Sequence, residues 1–168
     1  DFLGRKCSFT VEVVGMNRNG VRFMTLVYKQ IIVAIDGSKE SEWAFKKAVA
    51  IADRNDAALN LVNIVDTRSY SSVEAYDSSI AESAYKSAVE LLNNYKAEAV
   101  QAGVQTVNVI VDYGSPKKMI ATDLPKKLSA DLIICGATGL NAVERFVMGS
   151  VSENIVRSAK CDVLVIRE

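Results

Sequence analysis

Short apolar runs that alternate with helical patterns constrain the fold of this chain most. Five runs of β-branched and other apolar residues read as strands, and a stretch with helical spacing or helix-start residues lies between each consecutive pair. The runs are IIVAID, ALNLVNIVD, QTVNVIVDYG, DLIICG and DVLVIR. Apolar strands joined by helices form a parallel sheet that helices cover on both faces. The sequence therefore predicts a doubly wound α/β domain.

Residues 24–168 are predicted to form one domain, because 168 residues of which 49% are hydrophobic suffice for a single core. Asp1 is not an initiator residue, and the segment MTLVYKQ, which starts at Met24, leads directly into the first strand. We expect residues 1–23 to be upstream sequence or sequence added by cloning. The alternative is a short extra hairpin, since apolar residues alternate on both sides of Asn19 and Gly20.

The composition excludes several classes of function. Twenty basic residues balance twenty acidic ones, so no overall field attracts nucleic acid or an anionic membrane. The chain has no histidine, which removes histidine-dependent triads and histidine metal sites. Three widely spaced cysteines and the absence of an apolar run of ~20 residues favour a reduced, cytoplasmic protein. We expect neither nucleic acid nor a membrane as a partner.

Pro125 interrupts the helical stretch that follows the third strand. A proline inside a helix removes one backbone hydrogen bond and its ring clashes with the preceding turn. We therefore predict a kink or an early end of this helix near Asp123.

The stretch GATGLNAVERFVMGSVS follows the fourth strand and places small residues at an unusual spacing. Gly136 and Gly139 are followed, after nine residues, by Gly149 and Ser150, where the next helix is predicted to begin. The free N–H groups at a helix start favour an anion such as phosphate. Ser150 and Ser152 add hydroxyl donors, and glycines let a ligand approach the backbone. The pattern predicts a nucleotide site, although glycine turns and a serine N-cap would also explain it.

Asp36 ends the first strand, within the tripeptide Asp-Gly-Ser. In open parallel sheets, ligands bind at the carboxyl ends of neighbouring strands where the strand order reverses. If the first and fourth strands are neighbours, Asp36 and Gly136 share that crevice. Asp36 would then accept hydrogen bonds from a ribose or help to hold a metal ion that bridges phosphates, or it would only cap the following turn. Arg145 is the best candidate for a mobile positive charge that binds the phosphates, and Lys160 is a weaker alternative.

Three segments resemble the universal stress protein family: YKQIIVAIDGS, GATGLNAVERFVMGSVSENIV and CDVLVIRE. The resemblance extends from about Met24 to Glu168, and the Gly-x2-Gly-x9-Gly-Ser pattern is the signature of the family's ATP-binding branch. It implies an adenine nucleotide alpha hydrolase-like fold with a five-stranded parallel sheet in the order 3-2-1-4-5. It also implies a homodimer in which the last strands, Val163 to Ile166, pair across a two-fold axis.

The resemblance further implies a site for ATP, with Mg²⁺ accompanying the phosphates. The residues that it places around the nucleotide are Ala34, Asp36, Ile64, Gly136, Gly139, Arg145, Gly149, Ser150, Val151 and Ser152. The chain departs from the family in two places. The family commonly reads Gly-Ser-His-Gly where Ala137 and Thr138 stand between the glycines, and a basic residue often follows where Leu140 stands.

Three functions follow from these patterns. The first is an ATP-binding regulatory homodimer in the stress response. The second is a slow ATPase or autophosphorylating enzyme with Ser150 or Ser152 as phosphate acceptor, which the lack of histidine and of a P-loop lysine disfavours. The third is a nucleotide-free protein-interaction module, which the intact glycine pattern disfavours. No catalytic residue and no resident metal site are predicted.

Overall fold

A computed structural model describes residues 11–16, 22–66, 74–140 and 148–167. Near the start of the chain, β1 (Val11–Met16) pairs antiparallel with β2 (Arg22–Leu26). The antiparallel pairing agrees with the hairpin that the sequence offered as an alternative for this region. The predicted turn residues Asn19 and Gly20 lie outside the described residues.

The predicted five-stranded parallel sheet is confirmed. Its strands are β3 (Gln30–Ala34), β4 (Ala58–Val65), β5 (Val107–Tyr113), β6 (Leu132–Gly136) and β7 (Asp162–Ile166). Their spatial order is β5-β4-β3-β6-β7, which is the expected order 3-2-1-4-5 when this sheet's strands are counted along the chain. The first and fourth of them, β3 and β6, are neighbours, with Val33 paired to Ile134. The order reverses between them, and this opens a crevice at the carboxyl edge.

Helices cover both faces of the sheet. They are α1 (Lys39–Asn55), α2 (Glu74–Gln101), α3 (Pro116–Lys118), α4 (Leu124–Leu128) and α5 (Ser150–Ser158). Under α1 and α2 lies the first core cluster, which contains Phe45, Leu61 and Leu92. On the opposite face lies the second core cluster, in which Ile120, Leu124 and Ile155 pack against the sheet. Strands buried from both sides explain why the strand sequences are apolar runs without alternation.

The irregularity predicted at Pro125 takes an unexpected form. An early helix end is wrong, because α4 continues to Leu128. Instead, Met119–Asp123 is a π-helical segment, and the backbone N–H of Leu124 donates to the carbonyl of Met119, five residues earlier. Such a wide turn accommodates a proline ring that would clash with the preceding turn of a regular α-helix.

A row of amide side chains runs across three strands of the sheet, and its middle member is buried. Asn60 on β4 is only 1% exposed. Its Oδ1 accepts a hydrogen bond from Nδ2 of Asn108 on β5 at 3.0 Å. Its Nδ2 donates to the carbonyl of Ile31 at 3.1 Å and to Oε1 of Gln30 at 3.3 Å, both on β3. This amide row thus links three adjacent strands and satisfies a buried polar group that would otherwise be costly.

Candidate functional site

A cavity of about 730 Å³ lies at the carboxyl edge of the sheet. Nine of the ten predicted site residues line it, and the tenth, Arg145, lies outside the described residues. The nine are Ala34, Asp36, Ile64, Gly136, Gly139, Gly149, Ser150, Val151 and Ser152. The structure therefore brings the ends of β3, β4 and β6 and the start of α5 together around one space. What these residues do toward a ligand stays a prediction.

Asp36 connects two loops at the cavity. Its Oδ1 accepts hydrogen bonds from the backbone N–H of Ser38 at 3.0 Å and from the Ser38 hydroxyl at 2.6 Å. Its Oδ2 accepts one from the backbone N–H of Leu140 at 3.3 Å. Ser38 in turn caps α1 by accepting from the N–H of Ser41. Asp36 thus does brace the following turn, as the structural alternative predicted, and it also holds the loop after β6.

Gly136 and Gly139 are explained by close packing within the protein. A Cβ atom on Gly136 would lie 2.7 Å from Cβ of Glu40 and 2.9 Å from its carbonyl carbon, in the first turn of α1. A Cβ atom on Gly139 would lie 2.5 Å from Oδ2 of Asp36. Neither glycine has a positive φ. The sequence-based expectation was that these glycines leave room for a ligand. It did not consider that atoms of Glu40 and Asp36 in the same chain already lie next to them.

Gly149 is the N-cap residue at the start of α5. Its backbone N–H donates to the carbonyl of Ala137 at 2.7 Å, which ties the helix to the end of β6. A Cβ atom here would lie 3.3 Å from that carbonyl oxygen and from Oγ of Ser152. Gly149 provides no side-chain cap. The first backbone N–H groups of α5 thus have no intrahelical partner, and they carry the partial positive charge of a helix start at the cavity.

The two serines of the signature differ in their surroundings. Ser152 is buried, and its hydroxyl donates toward the carbonyls of Ala137 and Gly149 at 2.7 and 2.8 Å. It therefore secures the helix start, which disfavours it as a phosphate acceptor. Ser150 is exposed and also lines the cavity. Of the two predicted hydroxyl donors, Ser150 is the one that faces solvent.

The cavity also has an apolar wall. Val62, Ile64, Ile120 and Cys135 belong to the second core cluster, and Ala34 packs against it. Burial raises the pKa of the Cys135 thiol to about 12. This thiol therefore stays protonated at neutral pH and acts as a small apolar side chain rather than as a nucleophile.

The charges around the cavity are limited. Asp36 and Asp66 are the acidic side chains of the described lining, which includes neither lysine nor arginine. Within the described ranges, no three acidic, cysteine or histidine side chains are grouped so that they could hold a metal ion. Positive potential on the described part of the wall comes from the start of α5. The same ranges contain no helix that is long and apolar enough to cross a membrane.

Comparison with known proteins agrees with this architecture. The family model described as the universal stress protein family matches residues 27–167. The chain belongs to the universal stress protein family. The family resemblance noted in the sequence is thereby confirmed.

Individual universal stress proteins are similar over most of their length. A Staphylococcus aureus (strain USA300) protein named for this family is 54% identical over 142 residues, which are 84% of this chain and 86% of that protein. The solved universal stress protein UspA from Lactobacillus plantarum is 30% identical, with a TM-score of 0.77, and the match covers 85% of this chain and all of that one. A universal stress protein solved in complex with cAMP is 27% identical, with a TM-score of 0.66, over 84% of this chain and 98% of that one.

Sequence reasoning missed several residues that line the cavity of this universal stress protein. Asn63 lines it from β4 and donates to the carbonyl of Ile35 at 2.8 Å. A polar residue within an apolar strand run, next to the predicted Ile64, was the available signal. Pro116 and Ile120 line the cavity from the segment after β5. They gave no such signal, because an apolar residue in a helix is ordinarily core.

Proposed function

We propose that this chain binds an adenine nucleotide, ATP with Mg²⁺, and acts as a nucleotide-responsive regulatory homodimer in the stress response. The observation that carries the proposal is the cavity itself, which joins an apolar wall to a helix start within about 730 Å³. Cavities of this size and character are typical of small-molecule sites. The structure of a universal stress protein with cAMP, at 27% identity, supports an adenine ligand.

Each part of a nucleotide matches a part of the cavity. The apolar wall at Val62 and Ile64 suits the base, which loses little by leaving water there. The polar loop at Asp36 and Gly139 suits the ribose hydroxyls, and the N–H groups at the start of α5 suit phosphate oxygens. Asp36 already accepts hydrogen bonds through both oxygens. Mg²⁺ would therefore be held chiefly by the phosphates and water, as this ion commonly is.

Titration calorimetry with Mg-ATP, Mg-ADP, AMP and adenosine is expected to give saturable binding. CTP and UTP are the matched controls, because they carry the same phosphates on smaller bases and should bind more weakly if the apolar wall holds adenine. Single-turnover assays with labelled ATP separate a binding protein from the slow ATPase, since a binding protein releases no labelled phosphate over many hours. Absence of binding by every adenine compound would contradict the proposal.

The homodimer is supported by the open edge of β7. Among the residues that the structure describes, this strand pairs with β6 on one side and with no strand on the other, and its residues, including Val163 and Val165, are half-buried. The carbonyl of Ile166 accepts from Ala137 and the N–H of Asp162 donates to Asp131, so the backbone groups of these residues point toward β6. Because backbone direction alternates along a strand, the N–H groups of Val163 and Val165 point outward and remain available for a second copy.

Val165→Pro is expected to convert a dimer to a monomer, because it removes one outward N–H without removing a hydrogen bond to β6. Light scattering after gel filtration measures the mass, and a thermal melt verifies the fold. Val165→Ala is the control, since it keeps the N–H and should stay dimeric. A wild-type chain that is monomeric at high micromolar concentration, or a folded Val165→Pro variant that still dimerises, would refute this dimer.

A further inference from the structure

Ile120 contributes to the apolar wall of the cavity from the helical segment that follows β5. Ile120 lines the cavity, is 4% exposed, and packs in the second core cluster together with Ile64 and Cys135. The other two residues belong to strands of the sheet or to their ends. Ile120 instead belongs to the helical layer that packs on this face of the sheet. Its side chain therefore borders the space in which we propose that the base lies.

Ile120 lies within the π-helical segment Met119–Asp123, and Leu124 follows four residues later. Both side chains pack in the second core cluster. Ile120 also lines the cavity, whereas Leu124 is not among the described residues that line it. Pro116, four residues before Ile120, also lines the cavity.

We propose that Ile120 limits the size of the base that the cavity accepts, so that the site selects adenine over adenine derivatives with bulky substituents on the ring or on its amino group. The inference rests on the proposed nucleotide binding and adds a specificity-determining residue to it. Its physical basis is that an enclosed apolar wall rejects groups that overlap it, and each excess methylene costs a factor of about 10 or more in affinity.

The test compares adenosine with adenosine analogues that carry an isopropyl-sized group at N6, C2 or C8. Calorimetry on the full wild-type chain should show that adenosine binds and that the analogues bind much more weakly. Ile120→Ala removes side-chain volume of the added group's size from the wall. In this variant at least one analogue should gain about tenfold or more relative to adenosine.

Leu124→Ala is the matched control, because it removes the same number of carbon atoms from the same core cluster at a residue that does not line the cavity. It should lose stability as Ile120→Ala does and leave the ratio of analogue to adenosine affinity unchanged. If either alanine variant fails to fold in a thermal melt, Ile120→Val and Leu124→Val with methyl-substituted analogues replace the pair.

The outcomes separate this inference from the function on which it rests. A wild-type chain that binds neither adenosine nor Mg-ATP overturns both. Wild-type binding of adenosine with an unchanged ratio in the Ile120 variant overturns the role of Ile120 alone. Equal changes of the ratio in both variants overturn it as well, because they would reflect a loosened core rather than an enlarged wall.

Discussion

Gly136→Ala is expected to lower the free energy of unfolding by about 2–3 kcal/mol. The added Cβ would lie 2.7 Å from Cβ of Glu40 and 2.9 Å from its carbonyl carbon. These two Glu40 atoms cannot rotate away, because Glu40 is held in the first turn of α1. Gly136 cannot shift either, because it ends strand β6, which is paired with β7. Urea unfolding followed by circular dichroism measures the change.

Gly139→Ala is the control for this substitution. Its Cβ would meet the carboxylate of Asp36, the end of a side chain that can move, and we expect a loss below about 1 kcal/mol. Equal losses in the two variants would show that the close packing at α1 is not what requires glycine at residue 136.

Asp36→Asn is expected to weaken adenosine and ATP binding by about 10- to 100-fold, the cost of losing a hydrogen bond to a charged group. The amide can still accept from Ser38, but its NH₂ group would face the N–H of Leu140, which now donates to the carboxylate. The loop that closes the ribose end of the proposed site would lose its anchor. Adenosine and ATP share the ribose that this loop would contact. Calorimetry should therefore show that both ligands lose affinity by the same factor.

Ser38→Ala separates the two roles of Asp36. It removes the cap of α1 and one hydrogen bond to Asp36 while leaving the contact with Leu140 in place. We expect it to cost about 1 kcal/mol of stability and to change affinity little. If Ser38→Ala weakened binding as much as Asp36→Asn, bracing of the turn would be the whole role of Asp36.

The sheet could be predicted from the sequence because its signal is local and repeated. Each strand is a short apolar run, and a parallel sheet buried on both sides requires such runs. The grouping of Asp36 with the glycine signature also followed, since it depends only on which strand ends are adjacent.

The reasons for the individual residues could not be predicted in the same way. A glycine indicates that something comes close, but the sequence does not say whether that is a ligand or Glu40 of the same chain. Ile120 was missed because an apolar residue in a helix is ordinarily core, and only the fold shows that its side chain also lines the cavity. The buried hydroxyl of Ser152 likewise became recognisable only once the carbonyl of Ala137 was located beside it.

The amide row in the sheet has a consequence for the fidelity of folding. Apart from Asn60 and Asn63, β4 is apolar on both faces, so sliding it by one residue during assembly would mostly exchange one apolar side chain for another. The same slip would carry Asn60 away from Asn108 and Ile31 and leave the buried Asn60 amide without these partners. An unpaired buried polar group costs about 1–3 kcal/mol. Asn60 thus disfavours misaligned pairing of β4 with its neighbours, whereas the valines and leucines around it would tolerate a shift of the register.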